Sequence, residues 1–322
     1  MKKLIALTLT LLMLLSAFAS CAPKTPDVTR VYTLNGTTGF GMAKMMHDNK
    51  ENEAYSFEVK TDASDVTAAL IAGTVDIAAL PTNAAAAVYN KTEGGVKVIA
   101  VNTLGCLYLL TKEGVTVNTL SDLQGKTVYV PAQNPTFIFT EICKKNNLTD
   151  VTIDSTSYAK PDALKDAVAG GLVDVAVLPE PMVTVAISAA KNKSVNITNA
   201  MDLTAEWDKI HGAGSLVQGC VVVRTAFLEE YPEAVKSFLT EYKASIEYLA
   251  TNTKQAAEMI VEAGIFANAT VAEKAYPKCN ICYLDGADMQ AKMAVYLGVL
   301  QGINAVSIGG KLPADDFYYI AK

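Results

Sequence analysis

Glu180 lies between Pro179 and Pro181 at the end of an apolar run, with no lysine or arginine within ten residues on either side. A proline at a first helical turn fixes the backbone, so this carboxylate is expected to be rigid and to face a cleft. In a partly dry site it needs a donor or a cation, and the amine or ring N–H of a solute would provide one. Helix starts expected at Thr38, Thr82 and Asn134 leave unpaired amides and a positive dipole end. They could hold a carboxylate or sulfonate without any basic side chain. The only two arginines, Arg30 and Arg224, fall at a strand start and a strand end and form no evident fork for a phosphate.

The remaining reactive residue types make no catalytic pattern. His47 and His211 are distant in sequence and outside any serine-and-carboxylate arrangement, so a triad is not supported. Gly212-Ala213-Gly214 lacks the lysine and the strand-glycine-helix spacing of a nucleotide loop. Cys279-Asn280-Ile281-Cys282 has no second pair to complete a zinc site and follows Pro277 rather than opening a helix. A short-range disulfide or two reduced thiols is expected there. With Cys106, Cys143 and Cys220 these make five cysteines beyond Cys21, so internal pairing leaves a thiol over. Met42, Met45 and Met46 read as core filler. No catalytic residue, metal or cofactor is expected.

The elements that position these residues are announced by a repeat. Gly73 to Pro81 reads GTVDIAALP and Gly171 to Pro179 reads GLVDVAVLP. Each copy follows an alanine-rich helical run, stops it with glycine (Gly73; Gly170-Gly171) and enters an apolar strand. Such strands suit parallel sheets covered by helices on both faces, and two copies predict two similar α/β lobes. Ligands of open parallel sheets sit beyond the carboxyl ends of the strands, which makes Thr82-Asn83 and Glu180-Pro181 cleft residues.

The chain has 322 residues, a length that suits about two domains. Its net charge of −6 argues against a nucleic-acid partner. Met1 to Ser20, with Lys2-Lys3, an apolar core and Ala19-Ser20 before Cys21, reads as a signal peptide and lipidation site. Residues 21–29 then form a tether. No later apolar run is read as long enough to span a bilayer, so the mature chain is expected to be anchored by lipid, outside the cytoplasm. Alternating strands and helices place residues 30–112 plus 220–322 in a discontinuous first lobe and 113–219 in a second. The crossings near residues 105 to 114 and 214 to 222 carry Gly105 and Gly219, where hinge closure is expected and where Cys106 and Cys220 could meet. The late helices, Asp288 to Leu300 among them, are expected to pack on the first lobe.

The leader, the Gly-x-Val-Asp-x-Ala strands, Leu178-Pro179-Glu180-Pro181 and the run Val221 to Tyr242 (VVVRTAFLEEYPEAVKSFLTEY) together resemble the solute-binding proteins of ATP-driven importers for nitrate, sulfonates, taurine and thiamine-pyrimidine precursors. The resemblance covers nearly the whole chain from about residue 30. It implies an α/β, two-lobed periplasmic-binding fold of type II, each lobe a mixed, mainly parallel sheet covered by helices, with two crossing strands as hinge. It also implies a solute held in the cleft and passed to a membrane permease with its ATPase. The family's pocket positions carry over to Thr37, Thr38 and Gly39, to Thr82 and Asn83, to Asn134 and Thr136, and to Glu180. Where the family has a small-residue turn, this chain has Gln133-Asn134-Pro135-Thr136. That departure speaks against sulfonate or nitrate, while Glu180 and the missing arginines favour a nitrogen-bearing heterocycle or amine, with Phe40 or Phe137 stacking on a flat ring; an alkanesulfonate, taurine or nitrate-type anion is the alternative ligand. An enzyme building cofactor precursors on the same scaffold is the alternative of another class, and the leader speaks against it.

Overall fold

A computed structural model describes residues 24–321; the leader and Cys21 lie outside the described residues. The chain begins with β1 (Thr29–Leu34), α1 (Thr37–Phe40), α2 (Ala43–Asn52), β2 (Tyr55–Lys60), α3 (Ala63–Ala72), β3 (Ile77–Pro81), α4 (Thr82–Lys91) and β4 (Val96–Leu104). It continues through β5 (Leu107–Lys112), β6 (Lys126–Tyr129), α5 (Asn134–Lys145), β7 (Val151–Asp154), α6 (Pro161–Ala169), β8 (Val175–Pro179), α7 (Met182–Asn192), β9 (Ile197–Asp202) and α8 (Leu203–His211). It ends with β10 (Val217–Arg224), α9 (Thr225–Glu230), α10 (Pro232–Thr251), α11 (Thr253–Glu262), α12 (Ala269–Ala275), β11 (Ile281–Leu284) and α13 (Gly286–Asn304).

These strands form two sheets, ordered β2-β1-β3-β10-β4-β11 and β7-β6-β8-β5-β9. The repeated strands β3 and β8 hold the same place in each. Each lies parallel to one neighbour, β1 or β6, and antiparallel to a strand that follows a crossing, β10 or β5. Pro81 stands opposite Gly219 and Pro179 opposite Leu107. The punctuation before the strands is also as the sequence reads. Asp62 caps α3 by accepting from the Ser64 amide, and Gly73 ends that helix at φ 73°. Pro161 opens α6, and Gly171 takes φ 66° after it. Both are conformations that glycine adopts without the Cβ penalty.

The lobe boundaries shift from the expected ones. Leu107–Lys112 pairs with β8 and β9, so it belongs to the second sheet, and the first crossing is the short Gly105-Cys106 link. The return strand β10 starts at Val217 and lies wholly in the first sheet. Gly36, without a side-chain cap, precedes α1, so Thr37 and Thr38 lie inside that helix instead of capping it.

Helix α13 was expected on the first lobe alone. It packs on α4, β4 and β10 of the first lobe and on α5 of the second. Met289, Met293, Tyr296, Leu297 and Leu300 fill one core cluster together with Leu107, Ile138, Phe139 and Trp207. By length and composition Gly286–Ile308 could cross a membrane, contrary to the sequence reading, but this face is buried in the core. Burying a Leu or Met side chain stabilises by about 1.5 to 3 kcal/mol, so α13 ties the lobes together strongly.

Both arginines find their role in packing. Arg30 grips Asp76 through Nε (2.9 Å) and Nη2 (2.6 Å), and Arg224 Nη2 reaches the same carboxylate at 2.9 Å. Asp76 is 2% exposed. Burial alone would raise its pKa, but the two guanidiniums and the Arg30 amide outweigh burial and hold it below its ordinary value.

Candidate functional site

The residues after the two repeated strands meet residues of the opposite lobe. Thr82 opens α4 fully buried; no nitrogen or oxygen pairs with its hydroxyl, which lies against the Cys220 thiol of β10. Asn83 follows, and its Oδ1 accepts from Asn134 Nδ2 at 2.7 Å, a direct hydrogen bond between a helix start of one lobe and a helix start of the other. Asn134 Oδ1 is buried and unpartnered. The N-terminal ends of α4 and α5, helices of 10 and 12 residues, therefore converge on one polar spot between the lobes. Thr136 turns away, its hydroxyl donating to the Pro131 carbonyl (2.7 Å).

Thr37, Thr38 and Gly39 lie on the first-lobe side, in α1. Asn102 Nδ2 donates to the Thr38 carbonyl (3.0 Å), and Thr103 Oγ1 donates to Asn102 Oδ1 (3.0 Å). A Cβ on Gly39 would collide with the Leu34 carbonyl, so glycine lets α1 fold against β1. Phe40 is fully buried against Phe266 and Tyr276, both at 6.2 Å. It is core, not a platform for a ring. Phe137 likewise packs against the main core cluster.

The crossings are tight. A Cβ on Gly105 would lie 2.5 Å from Thr204 Oγ1 and from Leu216, and one on Gly219 2.5 Å from Asn102 Oδ1. Both glycines provide room for close approach. Gln218 Oε1 accepts from the Cys106 amide (2.8 Å), the Cys106 carbonyl accepts from the Glu180 amide (2.9 Å), and Asn280 Nδ2 donates to the Gly105 carbonyl. All five described cysteines are free thiols. Burial pushes the Cys106 and Cys220 thiols up to about 12, so both are protonated at neutral pH.

Glu180 is 1% exposed, and its oxygens are occupied. The Thr184 amide donates to Oε2 (3.1 Å) and the Thr184 hydroxyl to Oε1 (2.9 Å). Lys278 Nζ stands 4.0 Å from Oε1. Burial raises the Glu180 pKa, against the opposing pull of Thr184 and Lys278. The sequence argument that Glu180 lacks a donor thus fails in space, because Lys278 lies 98 residues away along the chain. Asn102, Gln218 and Lys278 carried no local motif that could have singled them out.

The comparisons with known proteins fit this arrangement. Residues 50–269 match the family model described as ABC transporter, phosphonate, periplasmic substrate-binding protein. The chain belongs to this family. It is an extracytoplasmic substrate-binding protein of an ABC transporter, a class that binds small solutes and serves a permease. Among solved structures it is similar to an ABC transporter protein from Parabacteroides distasonis, at 23% identity and TM-score 0.77 over 92% of this chain and 100% of that one. It also resembles the periplasmic aliphatic sulphonate binding protein SsuA from Escherichia coli (14% identity, TM-score 0.69, 92% and 94% covered). A third is the alkanesulfonate-binding protein SsuA from Xanthomonas axonopodis pv. citri bound to MOPS (13%, TM-score 0.62, 90% and 96%). At these identities the likeness establishes the two-lobed fold. No curated protein matches the sequence.

Proposed function

We propose that this substrate-binding protein captures a small organic oxyanion, of the sulfonate or phosphonate class, between its lobes and delivers it to the permease. In this reading it does no chemistry on the solute and is held at the membrane by lipid on Cys21. The observation that carries the reading is the fully buried Thr82 hydroxyl at the start of α4, with no stronger partner than the Cys220 thiol, next in sequence to the Asn83–Asn134 contact that joins the lobes. An unsatisfied buried hydroxyl is costly, and helix starts favour negative charge. A compact oxyanion answers both, while the free Asn134 Oδ1 suits a donor elsewhere on the solute. The names of the sulfonate-binding relatives and of the phosphonate family support the same class.

A nitrogen-bearing heterocycle or amine, the class favoured by the sequence, would need a carboxylate in want of a donor. Glu180 already accepts from Thr184 twice and faces Lys278. Calorimetry with 2-aminoethylphosphonate, taurine, methanesulfonate and 4-aminopyrimidine decides between the two. Binding of one or more of the oxyanions and none of the pyrimidine is expected; the reverse pattern would overturn the oxyanion reading.

A further inference from the structure

The segment from α12 to Asn280 belongs to the first lobe by its links to β4 and α11, yet it lies against the second. Helix α12 packs on α7. The Lys278 carbonyl accepts from the Tyr108 hydroxyl of β5 (3.0 Å), and Asn280 Nδ2 reaches Gly105 at the crossing. Between these two anchors the Lys278 side chain, half exposed, extends its ammonium to within 4.0 Å of Glu180, whose side chain has no exposure. No other ammonium or guanidinium among the described residues lies within ion-pair reach of Glu180. The neighbouring groups carry no compensating charge, because Cys106, Cys279 and Tyr108 are buried and protonated at neutral pH.

We propose that Lys278 is a specificity-determining residue, reaching from the first lobe to neutralise Glu180 of the second so that the closed cleft offers a solute no net negative charge. Without it, a carboxylate screened by little water would repel an oxyanion and favour a cation. The proposal rests on the oxyanion reading for its choice of solute but not for the pairing itself. Lys278 contributes at a distance, through the charge state of the cleft, and the Tyr108 hydroxyl, donating to its carbonyl, holds it beside Glu180.

Four proteins test it: the parent, Lys278→Met, Glu180→Gln and the double variant. In urea unfolding without solute, Lys278→Met should lower the midpoint in the parent background and leave it unchanged in the Glu180→Gln background. Equal shifts in both backgrounds would overturn the pairing. In calorimetry with methanesulfonate and methylphosphonate, Lys278→Met should weaken binding by about tenfold, and adding Glu180→Gln should restore it. Methylammonium should gain affinity in Lys278→Met alone. Equal weakening of the anions in the single and double variants would mean that Lys278 touches the solute directly, and would overturn the specificity role. If the parent binds neither anion, the oxyanion reading fails, and the urea comparison still decides the pair.

Discussion

Asp76 and Asp174 occupy the same place in the two copies of the Gly-x-Val-Asp phrase, yet one is buried under two arginines and the other is exposed, 3.9 Å from Lys112. The positions after the strands diverge as well. Asn83 at the start of α4 turns its side-chain oxygen to the other lobe, whereas Glu180 caps the first turn of α7. A repeated sequence thus fixes a repeated strand but not a repeated use of its polar ends. In the first lobe the aspartate locks the base of the sheet, far from the cleft end of β3, so Arg30 and Arg224 are spent on stability. In the second lobe the carboxylate that matters sits at the opposite end of the strand.

The largest break between the copies should come from Asp76→Ala, which strands two guanidiniums. Loss of one partner of a buried pair costs about 3 kcal/mol or more, and urea unfolding should show a loss of that order. Thr82→Val should cost about 1.5 kcal/mol of oxyanion binding, the scale of a hydrogen bond to a charged group, with stability little changed because only a weak contact with the Cys220 thiol is removed. Calorimetry on the variant, beside its melting curve, checks both halves.

Acid should separate the two lobes in sign. Asp76 has a lowered pKa in the fold, so its contribution is complete above the ordinary aspartate value of 3.8 and is lost as pH falls through its lower folded value. Glu180 has a raised pKa, so its folded form is penalised when ionised, and the penalty is relieved as pH falls from above its raised value toward the ordinary 4.5. As pH falls from neutral toward 4.5 the parent should therefore gain stability relative to Glu180→Gln; a parallel course for the two would count against a raised Glu180. The smallest effect belongs to the second copy's aspartate. Asp174→Ala should change stability by less than about 0.5 kcal/mol, as expected for an exposed pair.

Much of this architecture was legible in the sequence because it is written locally. Glycine stops, the Asp62 cap and short apolar strands act within a dozen residues, and they announced both lobes and the helix starts at Thr82 and Asn134. The unread part consists of contacts between distant segments. Arg30, Asp76 and Arg224 come from three distant segments, Lys278 meets Glu180 from 98 residues away, and α13 bridges the lobes because α5 presents an apolar face to it. The boundary at Gly105-Cys106 was misplaced for a related reason: β5 is as apolar as β4, and only pairing with β8 and β9 assigns it to the second sheet.

Native mass spectrometry of freshly purified protein, beside Thr82→Val, tests the central claim most directly. The parent should carry one small solute per chain, with sulfur or phosphorus in its accurate mass, and Thr82→Val should carry less of it. A copurified solute with neither element, or one that Thr82→Val retains in full, would contradict an oxyanion held at the start of α4.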